Sequence, residues 1–163
     1  MIEFKSLSKN FGKVEVLKKL DLSIKKGERI ALVGSNGAGK TTLIRCLLGE
    51  YVYTGSVLID GKIPRDYRTD VLKHIGFVPQ ISPPLKIPVA QLVSFVANLC
   101  ESEEQKIIDM IEQLGLDFEQ IKAQPFVKLS GGQKQKILIS IALGRDADIL
   151  IMDEPAANLD PDA

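Results

Sequence analysis

The chain has 163 residues, about the size of one domain, and its 21 basic and 21 acidic side chains leave no formal net charge at pH 7. This balance argues against a strong basic field for nucleic acid or anionic lipid. No apolar run approaches the roughly 18 residues that cross a bilayer, and the N-terminus lacks the apolar segment of a signal peptide. Cys46 and Cys100 have no metal-ligand spacing, which predicts reduced thiols in a cytosolic protein.

The first third of the chain predicts strands followed by a helix. Alternating apolar residues around Ile2–Phe4 and Leu20–Ile24 are typical of half-buried strands. Arg29–Val33 is a short apolar segment that predicts a third strand. Lys40–Leu48 has apolar residues on one side, as a helix would, and Gly49 suits its C-terminal cap.

The middle of the chain changes from strands to helices. Ser56–Ile59 with the turn Asp60-Gly61 predicts a strand and a hairpin, and Ile75–Val78 predicts a strand that Pro79 closes. Residues 83–125 then predict a helical insert. Its first helix covers Val89–Leu99, and Ser102–Gln105 fits a capping box at the start of the second.

The last part of the chain predicts a helix and a buried strand. Gln133–Leu143 carries apolar residues at helical spacing, and Ile149–Met152 is continuously apolar, as in a strand buried on both faces. The whole layout predicts an α/β protein with a mainly parallel central sheet.

A glycine-rich loop follows the predicted strand at Arg29–Val33 and fits the P-loop pattern G-x-x-x-x-G-K-[ST]. Glycines let backbone N–H groups approach phosphates, the lysine supplies a positive charge, and the hydroxyl of Thr41 can bind Mg²⁺. A nucleoside triphosphate with Mg²⁺ is therefore the expected ligand. The expected ligand-binding residues are Gly34, Ser35, Asn36, Gly37, Ala38, Gly39, Lys40, Thr41 and Thr42.

Two further groups of residues suit the same chemistry. Asp153 and Glu154 end the predicted strand Ile149–Met152, where ligands of α/β sheets bind. Asp153 is expected to hold Mg²⁺ through water, and Glu154 to polarise the attacking water. Ser130-Gly131-Gly132 precedes a helix, so its N–H groups form a second anion site.

The P-loop, the string Leu129–Gln133 and the run Ile149–Glu154, in this order, resemble the ATP-binding cassette (ABC) ATPases. The resemblance implies a P-loop NTPase fold in which an N-terminal antiparallel β subdomain and the helical insert 83–125 belong to one domain, residues 1–163. It implies a head-to-tail dimer, in which the signature residues of one subunit close over the nucleotide of the other. These signature residues are Ser130, Gly131, Gly132 and Gln133.

The resemblance also assigns three single residues. Phe11 stands where the family places an aromatic side chain that stacks on adenine, and a core residue is the alternative. Gln80 matches the Q-loop glutamine that contacts Mg²⁺, and Asp160 lies in the D-loop at the dimer interface. Catalysis is thereby expected from Glu154, Gln80 and Lys40, and metal binding from Thr41, Gln80 and Asp153.

One family residue has no match. The only histidine, His74, precedes the Q-loop and cannot be the switch histidine, which the family carries on a later strand. The chain is therefore expected to be a cassette that is incomplete at its C-terminus. Without the strand beside Ile149–Met152, residues 1–163 alone are expected to fold poorly or aggregate.

The short insert and neutral charge favour the ATP-hydrolysing subunit of a membrane transporter over nucleic-acid-bound members of the superfamily. Its expected partners are a second ATPase subunit and a membrane-spanning permease, without nucleic acid. The protein is expected to be cytoplasmic and peripheral on the inner face of the membrane, with Ile81–Pro88 lining the permease contact. A truncated module that binds ATP without turnover, and a division or lipoprotein-release ATPase, are the alternatives.

Overall fold

A computed structural model describes residues 1–154 of the chain. They form two compact units, one covering residues 1–72 and a second that begins at Lys73. Each unit has its own small sheet. Within the described residues, no helix combines the length and apolar character that crossing a bilayer requires.

The first unit is built on an antiparallel sheet of three strands. These are β1 (Ile2–Phe11), β2 (Val14–Ile24) and β3 (Thr54–Ile59), in the order β2-β1-β3. Ile2 pairs with Ile24 on one side and with Ile59 on the other. The predicted antiparallel arrangement of the N-terminal strands is confirmed, and so is the hairpin turn after β3, since Ile59 and Lys62 exchange backbone hydrogen bonds of 2.9 Å.

Helix α1 (Lys40–Leu47) contacts β2 and β3, and its apolar side is buried, as the sequence predicts. Leu48 caps the end of the helix, and Gly49 follows with a φ of 69°, in the left-handed region. The N–H of Gly49 donates to the carbonyl of Cys46, and the N–H of Glu50 donates to that of Arg45. This is the Schellman pattern, which satisfies carbonyls at the end of a helix.

The strand predicted at Arg29–Val33 does not form, and this prediction is wrong. Ile30 is 51% exposed and Val33 is 93% exposed. A strand needs a neighbour to satisfy its backbone groups, and none of the strands in residues 1–154 pairs with this segment. Its apolar composition alone is therefore insufficient to make it a strand.

A second, parallel pair of strands lies in the second unit, after helix α2 (Arg68–Lys73). Strand β4 (Ile75–Val78) has the predicted bounds and pairs with β5 (Ile149–Met152). The prediction that β5 is buried on both faces is wrong, because Leu150 is 43% exposed. Within the described residues β5 pairs with β4 alone, which leaves its other edge uncovered.

Helices and their connections form the rest of the second unit up to residue 154. In chain order they are α3 (Val89–Cys100), α4 (Glu104–Gln113), α5 (Phe118–Ile121), a 3₁₀ turn (Phe126–Lys128) and α6 (Gly131–Gly144). Their buried apolar residues form one core, in which Ile107 of α4, Phe126 and Ile137 of α6 are fully buried. The assignment of residues 83–125 to a separate insert within one cassette domain stays a prediction. The α/β fold class is confirmed.

The capping box predicted at Ser102–Gln105 is not formed. Helix α4 is capped by Glu103 without a side-chain hydrogen bond. The hydroxyl of Ser102 is buried and has no hydrogen-bond partner in residues 1–154, while the amide of Gln105 donates to Asp109. The helix starts one residue later than the pattern requires, which moves Ser102 out of the capping position.

Candidate functional site

The loop Gly34–Gly39 leads directly into helix α1 and is exposed from Gly34 to Ala38. The N–H of Ala38 donates to the carbonyl of Ser35 over 3.1 Å, which closes a turn. Gly39 caps the helix with a φ of 92°, a left-handed conformation that favours glycine. The helix therefore begins directly after an open, glycine-lined loop, the arrangement that an anion site at a helix N-terminus requires.

The ammonium group of Lys40 lies against the same loop. Its Nζ donates to the carbonyl of Gly34 over 2.8 Å and to the carbonyl of Ser35 over 3.2 Å. The positive charge is thereby held over the loop by groups that a phosphate oxygen could replace. Thr41 and Thr42 follow in the first turn and are half-buried. The structure thus brings the predicted phosphate-binding residues together in one loop and helix start.

Strand β2 supports this loop from one side. A Cβ atom on Gly39 would lie 3.1 Å from Val16 Cγ1 and 3.1 Å from Leu17 Cδ2. Such contacts are tighter than ordinary van der Waals packing, so the hairpin β1–β2 and the loop are in close contact within the first unit. Gly39 is therefore favoured both by its backbone conformation and by the space it leaves for β2.

Phe11 lies at the end of β1, where it pairs with Val14 of β2. Its side chain is 44% exposed, which excludes the alternative of a core residue. Two side chains contact its ring: the Lys9 ammonium lies 4.7 Å from the ring centroid, and Tyr51 packs edge-on at 5.3 Å. Sequence analysis missed both contacts. Lys9 could have been found, since residues two apart on a strand share a face, but no local pattern indicates Tyr51.

The second group of site residues follows the parallel strands β4 and β5. Val78 pairs with Met152, and Gln80 and Glu154 each stand two residues beyond this pair. Gln80 Nε2 donates to Glu154 Oε2 over 2.7 Å, and Glu154 has a left-handed φ of 51°. The structure therefore places the predicted glutamine and glutamate in direct contact at the carboxyl edge of the strands, where α/β proteins bind ligands.

Asp153 lies next to this pair and is 5% exposed. Its N–H donates to the carbonyl of Val78 over 2.9 Å, which extends the strand pairing by one residue. No cluster of three His, Cys, Asp or Glu side chains that could hold a metal occurs in residues 1–154. In this second unit, Gln80 and Asp153 offer amide and carboxylate oxygens, which are ligand types that Mg²⁺ accepts, and in the first unit Thr41 offers a hydroxyl.

The signature residues open helix α6. Ser130 Oγ accepts a hydrogen bond from the N–H of Gln133 over 3.2 Å, and Gln133 Oε1 accepts one from the N–H of Ser130 over 3.0 Å. These reciprocal bonds form a capping box. Both side chains are thereby occupied with each other, so the groups left for an anion are the N–H groups of Gly131 and Gly132. Asp160, predicted at the dimer interface, lies outside the described residues.

The chain matches a family model described as "ABC transporter" over residues 17–157. It is 35% identical over 164 residues to the zinc import ATP-binding protein ZnuC of Rickettsia conorii, which covers 98% of this chain and 64% of that protein. It is 38% identical over 172 residues to the arginine transport ATP-binding protein ArtM of Bacillus subtilis, covering 99% of this chain and 71% of that protein.

Solved structures show the same architecture. A dimeric bacterial ABC transporter cassette superposes with a TM-score of 0.83 at 27% identity, covering 98% of this chain and 76% of that one. The P-loop cassette fold expected from the motifs is therefore confirmed. The chain spans 64% of the length of the zinc-import relative from Rickettsia conorii.

Proposed function

This chain belongs to the ABC transporter family, and from that premise we propose that it is the ATP-binding and ATP-hydrolysing subunit of a membrane transporter. The observation that carries the proposal is the phosphate-binding geometry of the loop. A left-handed Gly39 opens α1, and the Lys40 ammonium lies over the exposed carbonyls of Gly34 and Ser35. The Lys40 ammonium and the N–H groups at the start of a helix are the donors that suit a triphosphate.

When a triphosphate binds, the Lys40 ammonium would exchange the backbone carbonyls that it now contacts for phosphate oxygens. Each carbonyl that Lys40 now contacts is a neutral acceptor, whereas a phosphate oxygen carries charge. Hydrogen bonds between charged groups are roughly twice as strong as neutral ones. The triphosphate would therefore displace Gly34 and Ser35 from the ammonium. The N–H groups at the start of α1 would bind the same anion.

Water activation is assigned to Glu154 and metal binding to Thr41, Gln80 and Asp153. Bound Mg²⁺ would neutralise charge that develops on the phosphate oxygens. Glu154 would accept a hydrogen bond from the attacking water and thereby orient that water. Its present contact with the Gln80 amide shows that the carboxylate can accept a hydrogen bond at this edge of the strands. Burial of Asp153 shields its carboxylate from bulk water, which suits a metal-binding group.

A second copy of the cassette is the first proposed partner. The N–H groups of Gly131 and Gly132 at the start of α6 form an anion site besides that of α1. A head-to-tail pair would use both, with the signature of one copy closing over the nucleotide of the other. The family includes a cassette described as dimeric, which supports this arrangement. ATP would then close the pair, and product release would reopen it.

A membrane-spanning permease is the second proposed partner, which would hold the protein at the cytoplasmic face of the membrane. Ile81, which follows the Q-loop glutamine, is 81% exposed. On α3, Phe95 and Leu99 are 60% and 51% exposed and stand one helical turn apart. A contiguous apolar patch on a surface marks a protein interaction site, and in this proposal these side chains would contribute to such a patch. They support the proposed permease contact near Ile81–Pro88.

Phosphate release from Mg²⁺-ATP, measured beside a Lys40→Ala variant, tests the proposal. We expect turnover in the natural chain and its loss in the variant, because the variant lacks the charge over the loop. ATP binding without any turnover would contradict the proposed hydrolysis and favour a nucleotide-binding module. Absence of ATP binding would overturn the proposal altogether.

A further inference from the structure

An exposed aromatic ring on the first unit is held by side chains that no nucleotide-binding motif includes. Phe11 presents 44% of its surface to solvent at the end of β1. The ring is nevertheless fixed from two directions, by the ammonium of Lys9 and by the ring of Tyr51. An exposed ring that is held in one orientation is suited to stacking.

Lys9 covers one side of this ring. Its Nζ lies 4.7 Å from the Phe11 centroid and 5.3 Å from the Tyr51 centroid. The same atom donates to the backbone carbonyl of Val52 over 2.8 Å, which anchors the ammonium beside both rings. A cation attracts the electron density of a ring toward its own side. The opposite side then becomes a better surface for an electron-rich purine.

Tyr51 holds the edge of the ring and links it to α1. The two ring centroids are 5.3 Å apart with an interplanar angle of 83°, the edge-to-face arrangement that aromatic pairs prefer. The Arg45 guanidinium carbon lies 5.7 Å from the Tyr51 ring centroid, and Arg45 belongs to α1, which begins at Lys40. Through these contacts, the Phe11 ring is tied to the helix that carries the phosphate-binding lysine.

The distance between ring and loop also fits a nucleotide. Val16, which meets Gly39 of the loop, stands two residues along β2 from Val14, the partner of Phe11. Two residues of strand span about 7 Å, and a neighbouring strand adds about 5 Å. A ribose and the first phosphate bridge a separation of this order. A base on Phe11 and phosphates at the loop could therefore belong to one molecule.

We propose that Tyr51 and Lys9 are positioning residues for the base of the bound nucleoside triphosphate, which stacks on the side of Phe11 that Lys9 leaves open. The inference rests on the proposed function, since it requires phosphates at the loop. Tyr51 sets the angle of the Phe11 ring, and Lys9 blocks one of its sides. Neither residue contacts the phosphates in this assignment.

Binding of two ligands, ATP and inorganic tripolyphosphate, tests the assignment by titration calorimetry. ATP carries both the base and the three phosphates, whereas tripolyphosphate carries the phosphates without the base. We expect Tyr51→Ala to weaken ATP binding about three- to tenfold and to leave tripolyphosphate binding unchanged. Tyr51→Phe keeps the edge-to-face contact and is expected to restore ATP binding to within about twofold of the natural chain.

Lys9→Met provides a second, independent variant, and Tyr67→Ala provides the matched control. Lys9→Met is expected to weaken ATP binding about two- to fivefold, again without effect on tripolyphosphate. Tyr67 is another tyrosine of the first unit; it is 52% exposed, and Lys62 Nζ lies 5.9 Å from its ring centroid. Within residues 1–154, the ring contacts of Phe11 do not include Tyr67, so Tyr67→Ala should change neither affinity.

Three outcomes would overturn the assignment. Equal losses for ATP and tripolyphosphate in Tyr51→Ala would show that Tyr51 acts by supporting α1 alone. Unchanged ATP binding in both variants would show that the cluster is surface packing. Equal affinity of the natural chain for ATP and tripolyphosphate would show that the base is not held, while phosphate binding would still stand. If the natural chain bound neither ligand, the proposed function itself would fail.

Discussion

The side-chain amide of Gln80 donates a hydrogen bond of 2.7 Å to the carboxylate of Glu154. The two residues are 74 positions apart in sequence, and the parallel pairing of β4 with β5 brings them together. Glu154 adopts a left-handed φ of 51°, which costs of order 1 kcal/mol or more for a residue with a side chain. A strained carboxylate held by an amide is typical of a catalytic site rather than of a solvated strand end.

Replacing Glu154 by glutamine tests its role as the group that activates water. Glu154→Gln keeps the size of the side chain but removes the charge that polarises water. We expect phosphate release to fall by about 10² to 10⁴-fold while ATP binding is retained. Steady-state phosphate release together with an ATP titration measures both. Glu112→Gln, at an exposed position of α4, is the matched control, and equal turnover in both variants would contradict the assignment.

Removing the Lys40 ammonium tests the phosphate-binding loop. Lys40→Ala deletes a charged donor that now contacts the carbonyls of Gly34 and Ser35. A hydrogen bond to a charged group contributes about 1.5–3 kcal/mol, so we expect ATP affinity to fall by about ten- to a hundredfold. Lys13→Ala, in the exposed turn between β1 and β2, is the control. Comparable affinity in the two variants would show that the loop does not use its lysine.

How far the sequence predicts this fold depends on the range of the interactions involved. The P-loop and the Schellman end of α1 at Gly49 are local, and each follows from a few adjacent residues. Strands depend on neighbours that are distant in sequence. Arg29–Val33 has the composition of a strand but no strand partner in the described residues, and Leu150 is 43% exposed although it lies in the continuously apolar strand β5. Composition cannot indicate whether such a neighbour is present.

The candidate functional site shows the same division between features set by adjacent residues and features set by distant ones. The spacing of Gly34, Lys40 and Thr41 is local, so it identified the loop. The contact between Phe11 and Tyr51 joins a strand to the segment after a helix, and it could not be read from spacing. The motifs therefore indicate the candidate binding residues, whereas the packing around Phe11 depends on residues that are distant in sequence.

Alanine substitutions at Gly39 and Gly37 separate the cost of backbone strain from the cost of crowding against β2. Both glycines have a left-handed φ, 92° for Gly39 and 86° for Gly37. A Cβ atom at Gly37 would meet nothing within 4 Å, whereas one at Gly39 would press on Val16 and Leu17. We expect Gly37→Ala to cost about 1–2 kcal/mol of unfolding free energy and Gly39→Ala about 1 kcal/mol more. Urea unfolding measures both, and equal costs would show that β2 moves away from the loop.

Two serines test which of two capping boxes exists. Ser130 caps α6 with reciprocal hydrogen bonds to Gln133, whereas the hydroxyl of Ser102 has no hydrogen-bond partner in residues 1–154. We expect Ser130→Ala to lower the free energy of unfolding by about 1 kcal/mol, the usual value of an N-cap. Ser102→Ala removes a buried hydroxyl that makes no such bond, so it should be neutral or stabilising. The reverse order in chemical denaturation would contradict the capping that the structure shows.

The two thiols should differ in reactivity because Cys46 is more deeply buried than Cys100. Cys46 lies on α1 with 0% of its surface exposed, and burial raises the pKa of its thiol above the usual value. The Lys9 charge opposes this shift more weakly. Cys100, at the end of α3, is half-buried. Since the thiolate is the reactive form, we expect an alkylating reagent at pH 8 to label Cys100 first and Cys46 only as the protein unfolds.

The raised pKa of Cys46 also has a consequence for stability. The folded state holds the thiol proton more tightly than the unfolded state does, so folding is favoured below the unfolded pKa. That contribution is lost as the pH rises through the pKa of the folded state. Cys46→Ser would replace the thiol by a buried hydroxyl that does not titrate in this range. Cys46→Ala would remove the titrating group without adding a buried hydroxyl. We therefore expect the natural chain to lose stability between pH 8 and 10 more steeply than Cys46→Ala does, as measured by urea unfolding at each pH. Parallel curves would show that the Cys46 thiol ionises as readily in the folded protein as in the unfolded chain.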